Sequence, residues 1–244
     1  MQLVDRVMSA LVIVCQSPNG LSVSEISSKM ELPLSTTHRV LSSLINNKFI
    51  IQDSRTKKYL PSYKIFTLCD NIKKNSILVS QARIHMESLS NEISKNVILC
   101  TRQGNNILNL ECVEYADSSM YMVKTGIELP LYATSAGRVF MAYMNDAELE
   151  QYLSEVMIEK KTDFTITDFN KLNEELKKIK KQQYAMIDEE LQLNVQGVAC
   201  PVFDAFGEVV AAIAFTSAKQ ADPIDEKKLI SLMQCAKNIS DSIN

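Results

Sequence analysis

The chain has only two histidines, His38 and His85, and its six cysteines are scattered without a C-x-x-C pair. That leaves no set of residues at metal-ligand spacing. Buried, reduced thiols acting as small hydrophobes are expected at Cys15, Cys69, Cys100, Cys112, Cys200 and Cys235. A P-loop, a G-x-G-x-x-G turn and a nucleophile motif are also missing. The densest acidic cluster, Asp188-Glu189-Glu190, has no histidine or further carboxylate nearby in sequence to complete an acid–base or metal site. No enzyme activity, metal or cofactor is therefore expected. No apolar run is long enough to span a bilayer. Met1–Ser17 carries Asp5 and Arg6 among its apolar residues, unlike the basic-then-apolar layout of a secretory leader, so the expected location is the cytoplasm, with no membrane partner.

What the 244 residues do contain is apolar material for two modest cores, with 46% hydrophobic residues. The charge is unevenly spread. Residues 1–74 carry ten Lys/Arg against five Asp/Glu, so a net charge of −3 conceals a basic head on an acidic body. Such a head suits contact with a polyanion at one end of the molecule.

Leu3, Val4, Val7, Met8, Leu11, Val12 and Cys15 recur at helical spacing, and Ser17-Pro18-Asn19-Gly20 ends that helix. Ser22 with Glu25 has the capping-box layout and starts a second helix that buries Ile26. Pro33 breaks the chain, and Ser35 is expected to cap a third helix with Val40, Leu41, Leu44 and Ile45 on one face. Two short helices joined by a tight turn make a helix-turn-helix, and the hairpin predicted over Ile50–Leu60 is a wing. A connecting helix follows over Lys64–Ile77, then an amphipathic helix over Leu78–Ser94. Beyond it, strands are predicted at Val97–Cys100, Ile107–Leu110, Tyr121–Val123, Val198–Phe203 and Val209–Phe215. Helices are predicted at Ser135–Tyr143, Asp146–Val156, Phe169–Gln182 and Asp225–Ile239. The pattern reads as α+β, with helices on one side of a sheet. The expected organisation is a winged helix-turn-helix over 1–62, a linker helix over 63–77 and a second domain over 78–244.

The second helix of a helix-turn-helix meets the major groove through its first turn. Here that turn supplies Ser35, Thr36, Thr37, His38 and Arg39, hydroxyls and an arginine suited to phosphates and base edges. Arg55, Lys57 and Lys58 on the wing would meet phosphates. At this stage three functions stay open: a ligand-responsive regulator, a metabolic enzyme fused to a helix-turn-helix, and an architectural DNA-binding protein without a ligand. The turn at Thr134-Ser135-Ala136 should present backbone N–H groups at a helix N-terminus, where a carboxylate is stabilised.

Several ordered segments carry a resemblance. Leu34-Ser35-Thr36-Thr37-His38-Arg39-Val40-Leu41 resembles the recognition helix of the IclR family of regulators. Leu129–Arg138 resembles its L-P-x-x-A turn leading into a Gly-Lys helix, and Thr165-Ile166-Thr167-Asp168 its T-x-T-D helix start. Tyr184-Ala185, Asp188-Glu189-Glu190, Ala199–Asp204 and Gly207-Glu208 resemble its late block. The resemblance implies a repressor or activator that binds a double-stranded DNA operator as a homodimer or homotetramer. It also implies a GAF-like C-terminal domain holding a small metabolite, often an organic acid. By the same alignment the effector site comprises Met122, Leu131, Ser135, Ala136, Phe140, Ile187, Asp188, Gly197, Ala214 and Thr216. The chain departs from the family at Gln183 and Asn194, each in place of Gly, and at Gly197 in place of Cys. Ile187, Gly197 and Ala214 stand where relatives are polar, which favours a ligand with a nonpolar body and one anionic end. Gly197 would leave room where a side chain otherwise stands.

Overall fold

A computed structural model describes residues 3–115 and 124–244, with the side chains of residues 73–75 excepted. The chain divides into two compact units, Met1–Asn75 and Ser76–Asn244. The connecting helix therefore falls with the head.

The first unit runs α1 (Leu3–Cys15), α2 (Val23–Met30), α3 (Leu34–Asn46), β1 (Ile50–Gln52), β2 (Tyr59–Pro61) and α4 (Tyr63–Asn75). Ala10, Val14, Ile26, Val40, Leu41, Leu44, Ile50 and Tyr59 form its core. The Ser22–Glu25 capping box is complete: Glu25 Oε2 accepts the Ser22 amide at 2.7 Å, and Ser22 Oγ accepts the Glu25 amide at 3.3 Å. Gly20, at φ +64°, turns the chain so that Leu21 bridges Tyr59. A Cβ there would stand 2.9 Å from the Tyr59 carbonyl oxygen, so only glycine fits. Ser35 does not cap α3. Pro33, with its fixed φ near −57°, is the capping residue, and Ser35 lies inside the first turn.

The second unit begins with α5 (Ile77–Ile93), capped by Ser76. It continues with β3 (Val97–Gln103), β4 (Asn106–Val113), β5 (Glu128–Pro130), a 3-10 turn (Leu131–Ala133), α6 (Ser135–Tyr143) and α7 (Asp146–Glu155). Then come α8 (Phe169–Gln182), β6 (Ala185–Asp188), β7 (Val195–Phe203), β8 (Val209–Ala218) and α9 (Glu226–Ile243). The six strands form one antiparallel sheet in the order β5-β4-β3-β8-β7-β6.

Helices cover both faces of this sheet, not one. Side chains alternate across each strand. Val97, Leu99, Val198, Cys200, Ile213 and Phe215 pack with residues of α5 and α9. Ile98, Cys100, Ala199, Ala212 and Ala214 pack with residues of α6, α7 and α8. Near-continuous apolar runs such as Val97–Cys100 follow from burial on two sides. The α6 face is built from small residues, Ala185, Ala199, Ala212 and Ala214, which lets α6 lie close over the strands. Two strands were not anticipated, β5 and β6. The strand expected at Tyr121–Val123 falls outside the described residues. Cys100, Cys200 and Cys235 are buried free thiols, whereas Cys15 and Cys69 are exposed, because their helix positions face away from the head core.

Candidate functional site

In the head, α3 presents Ser35, His38 and Arg39 to solvent, with Thr36 half-exposed. Thr37 does not join them. It is 0% exposed, and its hydroxyl donates to the Pro33 carbonyl at 3.1 Å, so it tightens the first turn from inside. His38 is exposed rather than packed in the core of the head. Behind α3 the wing is shaped by Asp53. Its Oδ1 accepts from the amides of Arg55 (3.0 Å) and Thr56 (2.6 Å) and from the Thr56 hydroxyl (2.8 Å). The Thr56 amide and hydroxyl hold the Asp53 carboxyl below the ordinary carboxylate value. The turn closes with Lys57 at φ +59° and places Arg55 and Lys57 in solvent and Lys58 at its edge. The head thus offers hydroxyls, an imidazole and an arginine on one helix turn, beside a rigid basic hairpin.

In the second unit, α6 starts over the small-residue face of the sheet. Thr134 caps it, its Oγ1 accepting the Gly137 amide at 3.1 Å and donating to the Pro130 carbonyl at 3.0 Å. The Ser135 and Ala136 amides have no intrahelical acceptor and lie at the positive end of the helix dipole. Gly137 lets this turn sit on the 3-10 turn: a Cβ would come within 2.2 Å of the Leu131 carbonyl oxygen. Register puts Ile187 opposite Gly197, and Gly197 opposite Thr216. Strand alternation from Ala185, Ala199 and Ala214 places all three on the α6 face. Leu131, Ser135, Ala136, Ile187, Gly197 and Ala214 are buried there, and Thr216 is half-exposed.

Gly197 does not leave open space. A Cβ there would meet Ile187 Cγ1 at 3.1 Å, Ile187 Cδ1 at 3.3 Å and Ser135 Oγ at 3.3 Å. Bulk missing from β7 has been taken up by the isoleucine on β6. Asp188 stands apart from the cluster. It is exposed, one residue out of phase with Ile187, and Lys219 Nζ holds it at 2.9 Å and Glu189 at 3.3 Å. Phe140 sits further along α6 and lines a separate cleft of about 250 Å³ with Arg102, Tyr143 and Glu148. Met122 lies outside the described residues.

Sequence reasoning assigned no role to Asn109 and no partner to Arg138 or Glu190. Asn109 is buried on β4, its Oδ1 accepting from Cys100 Sγ at 3.3 Å and its Nδ2 donating to the Lys124 carbonyl at 3.2 Å. Its signal was a polar residue inside the run Ile107–Leu110. Burial pushes the thiols of Cys100 and Cys112 up to about 12 and about 11, so both stay protonated. Arg138 and Glu190 form a buried ion pair across 52 residues of sequence, a separation that leaves no local signal.

Two family descriptions account for most of the chain. The IclR helix-turn-helix domain matches residues 3–54, and the bacterial transcriptional regulator IclR C-terminal domain matches residues 71–243. The chain belongs to the IclR family. Among its relatives, the Pca regulon regulatory protein of Pseudomonas putida is 28% identical over 194 residues, 79% of this chain and 66% of that protein. The HTH-type transcriptional repressor AllR of Salmonella typhimurium is 27% identical over 246 residues, 99% of this chain and 90% of that protein. The Thermotoga maritima IclR structure superposes with a TM-score of 0.79 at 27% identity, covering 98% of both chains. An IclR homolog from Microbacterium hydrocarbonoxydans, complexed with 4-hydroxybenzoate, superposes at 0.88 over 99% of both chains, but its 20% identity speaks to the fold alone. This IclR-family chain is thus a DNA-binding transcriptional regulator and not an enzyme. Its acidic cluster Asp188–Glu190 is spent on Lys219 and Arg138. Among the described residues no helix is long and apolar enough to cross a membrane.

Proposed function

We propose that this IclR-family regulator is a repressor whose grip on its operator is set by a small carboxylate in the second unit. The observation that carries the reading is the pair of amides of Ser135 and Ala136, without intrahelical acceptors, at the start of α6. The sheet face beneath α6 supplies the floor of the reading, with Ile187, Gly197 and Thr216 adjacent by register and Ala214 on the same face. The amides suit an anion. A floor with a single hydroxyl suits an effector with a nonpolar body. On the operator, Ser35, Thr36, His38 and Arg39 read the major groove while Arg55, Lys57 and Lys58 hold phosphates. The regulator acts in the cytoplasm as a homodimer or a dimer of dimers. Leu3, Val4, Met8 and Val12 on α1, with Phe66 and Ile72 on α4, leave apolar stripes exposed that a second copy would cover. Val4→Glu with Met8→Glu would then halve the mass seen by light scattering; an unchanged mass would put the interface elsewhere. The effector reading is tested by calorimetry against benzoate, 4-hydroxybenzoate and sugar-derived acids. Binding of neutral analogues as tightly as of the acids would refute the anion anchor.

A further inference from the structure

In the first turn of α6, next in sequence to the proposed anchor, Arg138 forms a buried charged pair with Glu190. Arg138, the fourth residue of α6, is 1% exposed, and Glu190 is 7% exposed. Arg138 Nη1 donates to Glu190 Oε1 at 2.8 Å, Nη2 donates to Glu190 Oε2, and Nε donates to the Tyr132 carbonyl at 3.1 Å. Glu190 Oε2 also accepts the Ile166 amide at 3.4 Å, and the Glu190 carbonyl accepts the Thr165 hydroxyl at 2.7 Å. Thr165 Oγ1 in turn accepts the amides of Lys161 (3.0 Å) and Thr162 (2.9 Å), while Thr162 Oγ1 donates to the Glu189 carbonyl at 2.6 Å. One guanidinium thus ties together α6, the 3-10 turn before it, the loop over residues 161–166 and the turn that follows β6.

We infer that Arg138 and Glu190 are positioning residues for the anchor, setting the angle at which the Ser135 and Ala136 amides meet the ligand and passing its occupancy to the 161–166 and 189–194 segments. The inference rests on the anchor reading. A buried ion pair is a poor source of stability, because an apolar pair of similar size is often as stable or more so. What an apolar pair lacks is direction. The planar fork fixes two carboxylate oxygens and the Tyr132 carbonyl in one plane, which a lysine ammonium, a single point charge, does not do. The segment it fixes, Tyr132–Arg138, is the one that carries the two amides.

The test is hydrogen–deuterium exchange on the full chain, comparing wild type with Arg138→Lys, Arg138→Met and the apolar double variant Arg138→Met/Glu190→Met. Exchange over residues 131–138, 161–166 and 189–194 should rise together, by about tenfold or more where the pair is lost, while α5 and α9 keep their wild-type rates. The double variant should recover the melting temperature but not the protection of 131–138. Recovery of both, or a uniform loss of protection across the sheet, would overturn the inference and leave the pair with a structural role only. Should Arg138→Met not fold, the Arg138→Lys and double variants carry the comparison. In parallel, benzoate and 4-hydroxybenzoate are titrated. An acid bound by wild type and equally tightly by Arg138→Lys also overturns the inference. If wild type binds neither acid, that counts against the anchor reading, and the exchange result still decides whether the pair positions the turn.

Discussion

Replacing Gly137 by alanine adds one methyl group at the point where α6 rests on the turn before it. The new Cβ would stand 2.2 Å from the Leu131 carbonyl oxygen, 2.4 Å from Leu131 Cα and 2.6 Å from Leu131 C. These are backbone atoms, so no side chain can rotate away, and α6 or the 3-10 turn has to move. Alanine in place of glycine favours the helix by about 1 kcal/mol. Against this, overpacking costs about 3 kcal/mol, the upper part of its usual range, because the contact is with backbone. Weakening the Thr134 cap, whose hydroxyl holds the Gly137 amide at 3.1 Å, costs about 1 kcal/mol more. The net expectation is about 3 kcal/mol against the second unit, or roughly a 6–12 °C fall in its melting temperature. Urea unfolding followed by circular dichroism measures it. Gly197→Ala is the control, since its close neighbours are side-chain atoms of Ile187 and the Ser135 hydroxyl at 3.1–3.3 Å rather than backbone; its cost should be the smaller, about 1 kcal/mol. Equal midpoints for Gly137→Ala and wild type would refute the packing account of this turn.

Arg39→Ala should weaken operator binding by about 1–3 kcal/mol and relax preference at one base, whereas Lys57→Ala should weaken all DNA binding and lower the salt slope by about one. Fluorescence anisotropy on operator and scrambled duplexes separates the two. Gln183 holds φ +61° at the end of α8, a conformation that costs a side chain about 1–2 kcal/mol, so Gln183→Gly should stabilise the second unit by about 1 kcal/mol in urea unfolding. The Asp53 carboxyl has its folded value depressed by Thr56. Its support of the wing is therefore fully present above the ordinary value of 3.8 and is lost as pH falls through the lower folded value. Amide resonances of Arg55 and Thr56 should keep their shifts down to that ordinary value and move only below it; movement near neutral pH would contradict the assignment.

Much of the fold was legible because single segments carry their own physics. Ala82, Met86, Leu89 and Ile93 lie at helical spacing and are the buried face of α5. Ser22 and Glu25 form the capping box that their spacing announced. Asn194, in place of the family's Gly, keeps a left-handed backbone at φ +59°, a region that asparagine tolerates. The misses came from tertiary context. Ser35 has the chemistry of a cap, but Pro33 already fixed the entry to α3. Thr37 looks like its hydroxylated neighbours until the helix phase turns it inward. The second layer of helices was hidden because strands buried on both faces lose the alternation that marks a one-sided sheet. At the candidate site, the pairing of Ile187 with Gly197 and the Arg138–Glu190 contact arise from register and long-range packing, which a linear reading does not contain.

Ser135→Pro tests the central claim most directly. Ser135 is the first residue of α6, where proline is well tolerated, and the change removes one anchor amide while leaving the head untouched. Operator affinity is measured by anisotropy with and without a carboxylate that binds wild type. The account predicts unchanged operator affinity without ligand, and a carboxylate concentration for half-response about ten- to a hundredfold higher in the variant, as expected for losing a charge-assisted hydrogen bond. An identical carboxylate response in Ser135→Pro and wild type would contradict it.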